Sequence, residues 1–267
     1  MGQLLAIEWM KLKNYRAFWI LFCTYLVTIF GANYIIYRIQ LHIYSERRMK
    51  GIAAMVLGDP PYSFPAVWQS VAHVSSWLLF IPGLIIILTT SNEYSFKTHR
   101  QNIIDGWTRK QFITSKILLA AALAIISTLV VAITAAIFGF MSGDASFSFE
   151  GFSYIWNCLL QAMSYIMVAL LMAILFKRGV LAIGVFFAYS MVLEQIIVLL
   201  LNRYANYAGR YLPLETTDIM VPFPYIQNLA NKLLSTTPNY TLIFIASLVY
   251  LAIYLFITVK KFQTDDM

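Results

Sequence analysis

The chain has 267 residues, of which 60% are hydrophobic and only 12% are charged, whereas a soluble domain has about 45–50% apolar and about 25% charged residues. A soluble fold of this length has too small a core for that apolar surface, and a disordered chain is charge-rich. Both classes are excluded, and the formal charge of +7 has to be located relative to a membrane before it is interpreted.

The first sixteen residues predict a helix that lies on the membrane surface. At about 100° per residue, Leu5, Trp9 and Leu12 share one face, and Glu8 lies on the opposite, polar face. An early start of the first crossing helix is the alternative interpretation of residues 3–16. The apolar stretch that follows is longer than a signal-peptide core and has no A-x-A-like site after it, so we expect no secretory cleavage.

Six stretches are apolar and long enough to cross a hydrocarbon core of about 30 Å, which takes about 20 helical residues. None of them contains Lys or Arg, and one contains a carboxylate. The sequence therefore predicts an all-α integral membrane protein with six transmembrane helices, forming a single transmembrane domain over residues 1–267. The predicted crossings are 17–37, 67–90, 117–140, 154–176, 180–201 and 241–259.

Basic residues are distributed unevenly between the segments that connect these crossings. With both termini in the cytoplasm, the inner segments hold twelve Lys and Arg against five carboxylates, and the outer segments hold seven against six. Cytoplasmic segments carry an excess of basic residues, so we expect this orientation, with the excess charge facing anionic lipid or a protein partner. Nucleic-acid binding is excluded because no soluble domain is rich in Lys and Arg.

The inner segment 91–116 is the longest and most charged of the cytoplasmic stretches. Asp105-Gly106 predicts a turn, after which Thr108 can cap a helix that continues into the third crossing. The segment is thus predicted to contain two short helical pieces with apolar residues between the charges. Such a surface suits docking to another protein, and a solvated loop has a similar composition.

The last third of the chain contains a proline-rich connecting segment and a carboxylate inside a predicted crossing. The segment between the fifth and sixth crossings carries four prolines, and apolar residues at helical spacing predict a short amphipathic helix at 225–236. Glu194 lies deep inside the fifth crossing, where ionisable residues are rare. It is either part of a polar pathway, together with Gln195, or a hydrogen-bonded packing residue, and the sequence favours neither interpretation.

No constellation typical of a catalytic or metal site is present. The two cysteines and three histidines are scattered over different segments and have no zinc-binding or redox spacing. The chain also has no G-x-x-x-x-G-K-[ST] segment, so we expect no ATP binding through a P-loop. We therefore expect no catalytic residue, no metal ligand and no bound cofactor.

The layout of the chain and the stretch NEYSFKTHR…GWTRKQFITSK resemble the membrane subunit of an ABC-2-type transporter. In that family a Glu ends the second crossing, a Thr-bearing piece follows, and an Arg-containing helical turn leads to a Lys at the third crossing. Here these residues are Glu93, Thr98, Arg109 and Lys116. The sequence departs from the pattern at Lys97, which occupies the place of the usual Gly.

The resemblance implies a bacterial plasma-membrane permease similar to the bacitracin-resistance and lantibiotic-immunity type. Residues 93–112, including Arg100 and Phe112, would form a coupling helix that docks to a separate ATPase subunit, and 3–16 would contact the same partner. Two ATPase copies would use ATP and Mg²⁺, and residues 213–238 would form an outer re-entrant element. Two permease subunits, identical or related, would form one export pathway for peptide antibiotics, drug-like or lipid-like amphiphiles.

Three other functions are alternatives to an ABC-2 permease. A stand-alone secondary transporter needs intramembrane ionisable residues for ion coupling, and only Glu194 qualifies. An integral-membrane enzyme needs paired catalytic groups, which the sequence does not show. A non-transporting anchor or assembly subunit is compatible with everything above.

Overall fold

The computed structural model describes residues 2–45, 60–104, 106–143, 146–205, 207–224 and 238–264, and this part of the chain contains helices and no β-strand. Five helical spans are long and apolar enough to cross a membrane, and a bent helix pair makes a sixth. The predicted all-α membrane fold is therefore confirmed. The helices are α1 (Gly2–Lys13), α2 (Arg16–Ser45), α3 (Val67–Ser76), α4 (Phe80–Ser95), α5 (Thr98–Ile104), α6 (Arg109–Ser142), α7 (Ser153–Phe176), α8 (Gly179–Phe187), α9 (Glu194–Tyr204), α10 (Glu215–Asp218) and α11 (Tyr240–Thr264).

Helix α7 is the centre of the bundle. It packs against α3, α4, α6, α8, α10 and α11, and 67% of its most apolar stretch is buried inside the protein, against 17% for α2 and 22% for α11. Small side chains such as Ala162, Ala169 and Ala173 are fully buried along it, and small residues let neighbouring helices approach closely in a membrane. The apolar sides of α2 and α11 consequently face outward.

The predicted crossing at 67–90 is a broken helix in the structure. Its two parts, α3 and α4, are bent by 44° relative to each other. Pro82 is the third residue of α4 and has no N–H to donate to the Leu78 carbonyl, which instead accepts from Ile81 N at 3.0 Å. The second part continues to Ser95, so Glu93 belongs to this helix and not to a separate one.

Two other helices are longer than the crossings predicted within them. Helix α2 continues to Ser45, so the outer segment predicted to begin at residue 38 is helical in its first part. Contacts with the rest of the bundle account for the extension, because Tyr37 Oη donates to the Met141 carbonyl at 2.9 Å and Gln40 Oε1 accepts from Tyr62 N at 2.8 Å. Helix α6 begins at Arg109 instead of residue 117.

A side-chain cap fixes the start of α6. Thr108 and Gln111 form a reciprocal capping box, as the sequence predicted for Thr108. Gly106, with φ of 99°, lies in the left-handed region that favours glycine, and Asp105 of the predicted turn is outside the described residues.

The three remaining predicted crossings also correspond to helices. The crossing 154–176 lies in α7, and 241–259 lies in α11. The crossing 180–201 lies in a continuous span that runs from α8 through a π-helix at Ala188–Leu193 to α9.

Residues 207–224, called the distal segment here, fold back between the spans. The segment contains a 3₁₀ turn at Ala208–Tyr211 and the short helix α10, and it contacts α7, α9 and α11. Asn157 Nδ2 donates to the Met220 carbonyl at 3.0 Å, and Gln69 Nε2 donates to the Pro222 carbonyl at 2.8 Å. The described part of the predicted re-entrant element 213–238 is thus packed into the bundle, and the predicted helix at 225–236 lies outside the described residues.

Candidate functional site

Four charged side chains meet where α1, α4 and α6 come together, at what we call the basal end. Lys116 Nζ is 2.7 Å from Glu8 Oε2 and 2.7 Å from Glu93 Oε1. Lys11 Nζ is 2.9 Å from the same Glu93 oxygen, and Ser115 Oγ donates to Glu8 Oε1 at 3.0 Å. We call Glu8, Lys11, Glu93 and Lys116 the basal ion network; it joins three helices.

Three members of the basal ion network are buried and Lys11 is half-buried, and the two lysines of the network balance its two carboxylates. The Lys116 side chain is 1% exposed and that of Glu8 is 3% exposed. Burial raises the pKa of Glu8, but Lys116 and Lys11 outweigh it and hold the pKa below its ordinary value. Burial opposes the charge of Lys11, yet Glu93 and Glu8 raise its pKa above the ordinary value. Glu8 and Lys11 are therefore charged at neutral pH, which a buried site tolerates because each has an opposite charge.

One residue of the predicted polar face of α1, Glu8, is buried in the structure. Glu8 is turned toward the protein, and Tyr15 Oη accepts a hydrogen bond from Asn92 Nδ2 at 2.9 Å. Trp9 and Met10 are exposed by 46% and 51%. The physical reason is that Lys116 and Lys11 supply the opposite charges that Glu8 needs, while Leu12 of the apolar face is buried in the core.

The six predicted coupling residues fall into a buried group and an exposed group. Glu93 and Lys116 belong to the basal ion network. Phe112 is 1% exposed and stacks on Phe262 of α11, with ring centroids 4.9 Å apart. These three side chains hold helices together and do not face outward.

Thr98, Arg100 and Arg109 are exposed. Exposed apolar side chains accompany them, because Phe96 is 75% and Ile104 is 77% exposed. We call Phe96, Thr98, Arg100, Ile104 and Arg109 the basal surface. This combination of basic and apolar groups is typical of a site for another protein, in which apolar contacts provide affinity and charges provide orientation.

The basal surface is attached directly to the basal ion network. The ring of His99 in α5 is buried, and its Nδ1 lies 2.9 Å from the Glu93 carbonyl oxygen. Arg109 Nη1 donates to the Gln263 carbonyl at 2.7 Å, which joins the start of α6 to the end of α11. These contacts connect the basal surface to α4, α6 and α11.

Glu194 is held by backbone groups. It is 2% exposed, and its Oε1 accepts from Leu214 N at 2.6 Å and from Glu215 N at 3.0 Å. These contacts join α9 to the distal segment and agree with the packing interpretation. Gln195 is exposed and lines a distal cavity of about 240 Å³ together with Trp77 and Asp218.

Two further carboxylates of the distal segment lie beside this cavity. Asp218 accepts from Gln161 Nε2 at 2.8 Å and from Tyr165 Oη at 3.0 Å. Burial raises the pKa of Asp218 to about 7 although these donors oppose the rise. Burial, followed by the charges of Asp218 and Glu194, raises the pKa of Glu215 to about 7. Within the described ranges, no group of three or more His, Cys, Asp or Glu is arranged to hold a metal ion.

Sequence reasoning missed Glu8, Lys11 and Asp218 as partners in these sites. The available signal for Glu8 was weak: it is the single acidic residue in an otherwise basic first segment. No pattern in the neighbouring sequence predicts that Asp218 contacts Gln161 and Tyr165, because these residues lie more than 50 positions away.

Comparison with known proteins identifies the family. The sequence model of a family described as ABC-2 family transporter protein matches residues 4–193, more than two thirds of the chain. The matched range contains the basal ion network, the basal surface and the central helix, and it ends one residue before Glu194. No curated protein matches the sequence. The match over this range shows that the chain belongs to the ABC-2 family of transporter proteins.

Proposed function

We propose that the chain is the permease subunit of an ATP-driven exporter and that a separate ATPase subunit docks on its basal surface. Membership of the ABC-2 family makes the chain a membrane transport subunit of an ABC transporter. The observation that carries the coupling role is the basal ion network, because it joins α1 to the ends of α4 and α6, and His99 of α5 contacts the Glu93 carbonyl beside it. ATP and Mg²⁺ would be bound by the ATPase subunit.

The proposed mechanism needs a stiff connection between the docking surface and the translocation pathway. Helix α6 is 34 residues long and begins at Arg109 on the basal surface, so it is about 50 Å in length and crosses the entire membrane. Its Lys116 also holds α1 and α4 through ion pairs. When two ATPase subunits close on ATP, a displacement of α5 would move α1, α4 and α6 as one body.

The expected partner has a groove with apolar walls and acidic groups at its rim. The apolar part would receive Phe96 and Ile104, and the acidic part would face Arg100. We infer that this end faces the cytoplasm of a bacterium, with both chain termini on that side, because its segments carry the excess of basic residues.

A second permease copy or a related chain would complete the pathway, and two ATPase subunits would serve the pair. The outward-facing apolar sides of α2 and α11 offer surface for such a partner and for lipid. The substrate class suggested by the resemblance is a peptide antibiotic, a drug-like molecule or a lipid-like amphiphile. The secondary-transporter alternative loses support because the carboxylate of Glu194 is held by the backbone of the distal segment.

The proposal is tested with the tagged chain purified from its own membrane and reconstituted together with the ATPase that co-purifies. Arg100→Glu reverses a charge on the basal surface, so we expect it to abolish the stimulation of ATPase activity by the permease. Membrane insertion and thermal unfolding should not change, because Arg100 is exposed. Arg109→Glu should have the same effect on activity, but it also removes the hydrogen bond to Gln263.

Arg203→Glu is the matched control, since it makes the same charge change on an exposed residue of α9. It should leave the stimulation intact. Unchanged stimulation in Arg100→Glu would contradict docking at the basal surface. Purification of the chain without any ATPase would contradict the function itself.

A further inference from the structure

The distal cavity lies where two of the membrane-spanning helices are irregular. Ser76 ends α3 and Trp77 follows it at the 44° bend to α4, and both line the cavity. Ser190 and Met191, which also line it, belong to the π-helix Ala188–Leu193. Irregular backbone within a membrane occurs where it lines a cavity, and π-helical turns are frequent at functional sites. The family match and the coupling proposal assign no ligand to this cavity.

Two carboxylates line the distal cavity, those of Glu215 and Asp218, and its volume is about 240 Å³. Within the described ranges, no lysine or arginine lines it, and neither carboxylate forms an ion pair. Burial raises the pKa of both groups to about 7, and the charge of Glu194 contributes to the rise. A positive charge in the cavity would stabilise the ionised form of both, so the wall is complementary to a cation.

An aromatic ring and a further acceptor complete this wall. Trp77 is 65% exposed, so its indole is accessible to a ligand. Gln195 is exposed and lines the same cavity, where its amide oxygen can accept a hydrogen bond. The Tyr165 hydroxyl is directed to Asp218, to which it donates at 3.0 Å. The wall suits an ammonium group, because an ammonium carries only donors and is attracted to the face of an indole ring.

A second, apolar space adjoins the distal cavity and shares His73 and Trp77 with it. Its volume is about 400 Å³. The other side chains that line it are apolar and come from α2, from α3 and the bend after it, and from the distal segment: Ala32, Ile36, Val74, Leu78 and Phe223. We call these five residues the apolar groove. A hydrocarbon chain that starts in the distal cavity reaches the groove past Trp77, and burial of its apolar surface there is favourable.

We propose that the distal cavity and the apolar groove together bind an amphiphile that carries an ammonium group and a hydrocarbon tail but no anionic group. The ammonium contacts Glu215, Asp218 and the indole of Trp77, and the tail lies in the apolar groove. A phospholipid also has a tail, but the two carboxylates would repel its phosphate. The site is independent of the proposed function, because its lining belongs to neither the basal ion network nor the basal surface, and binding requires no ATPase.

The test is isothermal titration calorimetry of the full chain in a non-ionic detergent, from which the titration of empty micelles is subtracted. At about pH 8.5 both carboxylates are mostly ionised, and an alkylammonium is charged like a lysine side chain. The probes are n-octylammonium, 1-octanol and an ethanolamine lysophospholipid with an eight-carbon chain. We expect n-octylammonium to bind at least about tenfold more tightly than the other two, the size of one charge-assisted hydrogen bond. Equal affinity for 1-octanol would contradict a cation site, and equal affinity for the lysophospholipid would indicate a lipid headgroup site; either result overturns the proposal.

Glu215→Gln removes one charge from the cavity and keeps the shape of the side chain. Glu150→Gln is the matched control, because it makes the same change at an exposed residue that does not line the cavity. We expect Glu215→Gln to lower the affinity for n-octylammonium by about tenfold without changing that for 1-octanol, and Glu150→Gln to change neither. Unchanged affinity for n-octylammonium in a folded Glu215→Gln protein would overturn the site, and the comparison of probes on the wild-type protein decides the matter if this variant does not fold.

The apolar groove is tested separately by the length of the tail. We expect the wild-type protein to bind n-octylammonium at least about tenfold more tightly than n-butylammonium, because the longer tail buries more apolar surface. Ala32→Phe fills the groove and should remove this difference, whereas Ala252→Phe, at an exposed position of α11, should keep it. A folded Ala32→Phe protein that keeps the full difference would locate the tail elsewhere and overturn the proposal. Equal affinity of the wild-type protein for the two tail lengths would overturn it whether or not this variant folds.

Discussion

The basal ion network and the distal segment both bury carboxylates, but they do so with different partners. At the basal end, Glu8 and Glu93 are paired with two lysines at 2.7–3.5 Å. In the distal segment, Asp218 accepts from a glutamine and a tyrosine, and Glu194 accepts from backbone amides. Among the described residues, no ion pair joins a lysine or arginine to these distal carboxylates.

This difference has consequences for how the two ends respond to their surroundings. Paired charges keep Glu8 ionised over the physiological range, because its pKa is below the ordinary value despite burial. The neutral donors Gln161 and Tyr165 do not offset the effect of burial on the pKa of Asp218, which is raised to about 7. We therefore expect the basal end to behave as a rigid connection and the distal segment to depend on protonation.

The largest effect is expected when the basal ion network loses its central cation. Lys116→Met leaves Glu8 and Glu93 without their closest partner, and breaking a buried ion pair in this way costs about 3–5 kcal/mol. The free energy of unfolding, measured by denaturant titration in micelles, should fall by this amount. Lys110→Met, at an exposed position of the same helix, should change it by less than about 0.5 kcal/mol. A cost for Lys116→Met that equals the control would show that the network does not hold these helices.

The fold was largely predictable because its main determinants are local in sequence. Long apolar stretches indicate the crossings, and Thr108 marks the start of α6 through a cap that involves its own neighbours. The extension of α2 to Ser45 depends on contacts between distant parts of the chain. Periodicity and hydropathy contain no information about such contacts.

The candidate site was only partly predictable for the same reason. The resemblance pointed to Glu93 and Lys116, but their partners come from α1, more than 80 positions before Glu93. Hydropathy predicted a polar face of α1 exposed to solvent, whereas that face is neutralised by charges from α4 and α6. Glu194 could be located at depth in the membrane, but its role follows only from the folding back of the distal segment.

Neutral substitution of a carboxylate at each end is expected to have an intermediate effect on the free energy of unfolding. Glu8→Gln keeps the shape of the side chain but leaves Lys116 with one carboxylate, so it should cost about 2–3 kcal/mol of unfolding free energy. Asp218→Asn keeps an oxygen that can accept from Gln161 and Tyr165, and it should cost less than about 1 kcal/mol near neutral pH. Both values come from the same denaturant titration. Equal costs would remove the distinction between paired and unpaired carboxylates.

The smallest expected effect is a dependence of the distal segment on pH. A carboxyl group whose pKa is raised by folding stabilises the folded state when it is protonated. Since the pKa of Asp218 and of Glu215 is raised to about 7, their contribution is complete below the ordinary pKa of about 4 and is lost as the pH rises through about 7. The distal segment should therefore open more readily at about pH 9 than at about pH 5.

Hydrogen exchange of the backbone amides from Leu214 to Val221, corrected for the intrinsic effect of pH, measures this opening directly. We expect protection to decrease by at least about tenfold between these pH values. Amides of α6 around Lys116 provide the internal control, because Glu8 stays ionised in this range. Asp218→Asn should reduce the pH dependence, since one of the two titrating groups is then absent. Protection that stays constant in the wild-type protein would mean that the distal carboxylates do not change protonation between these pH values.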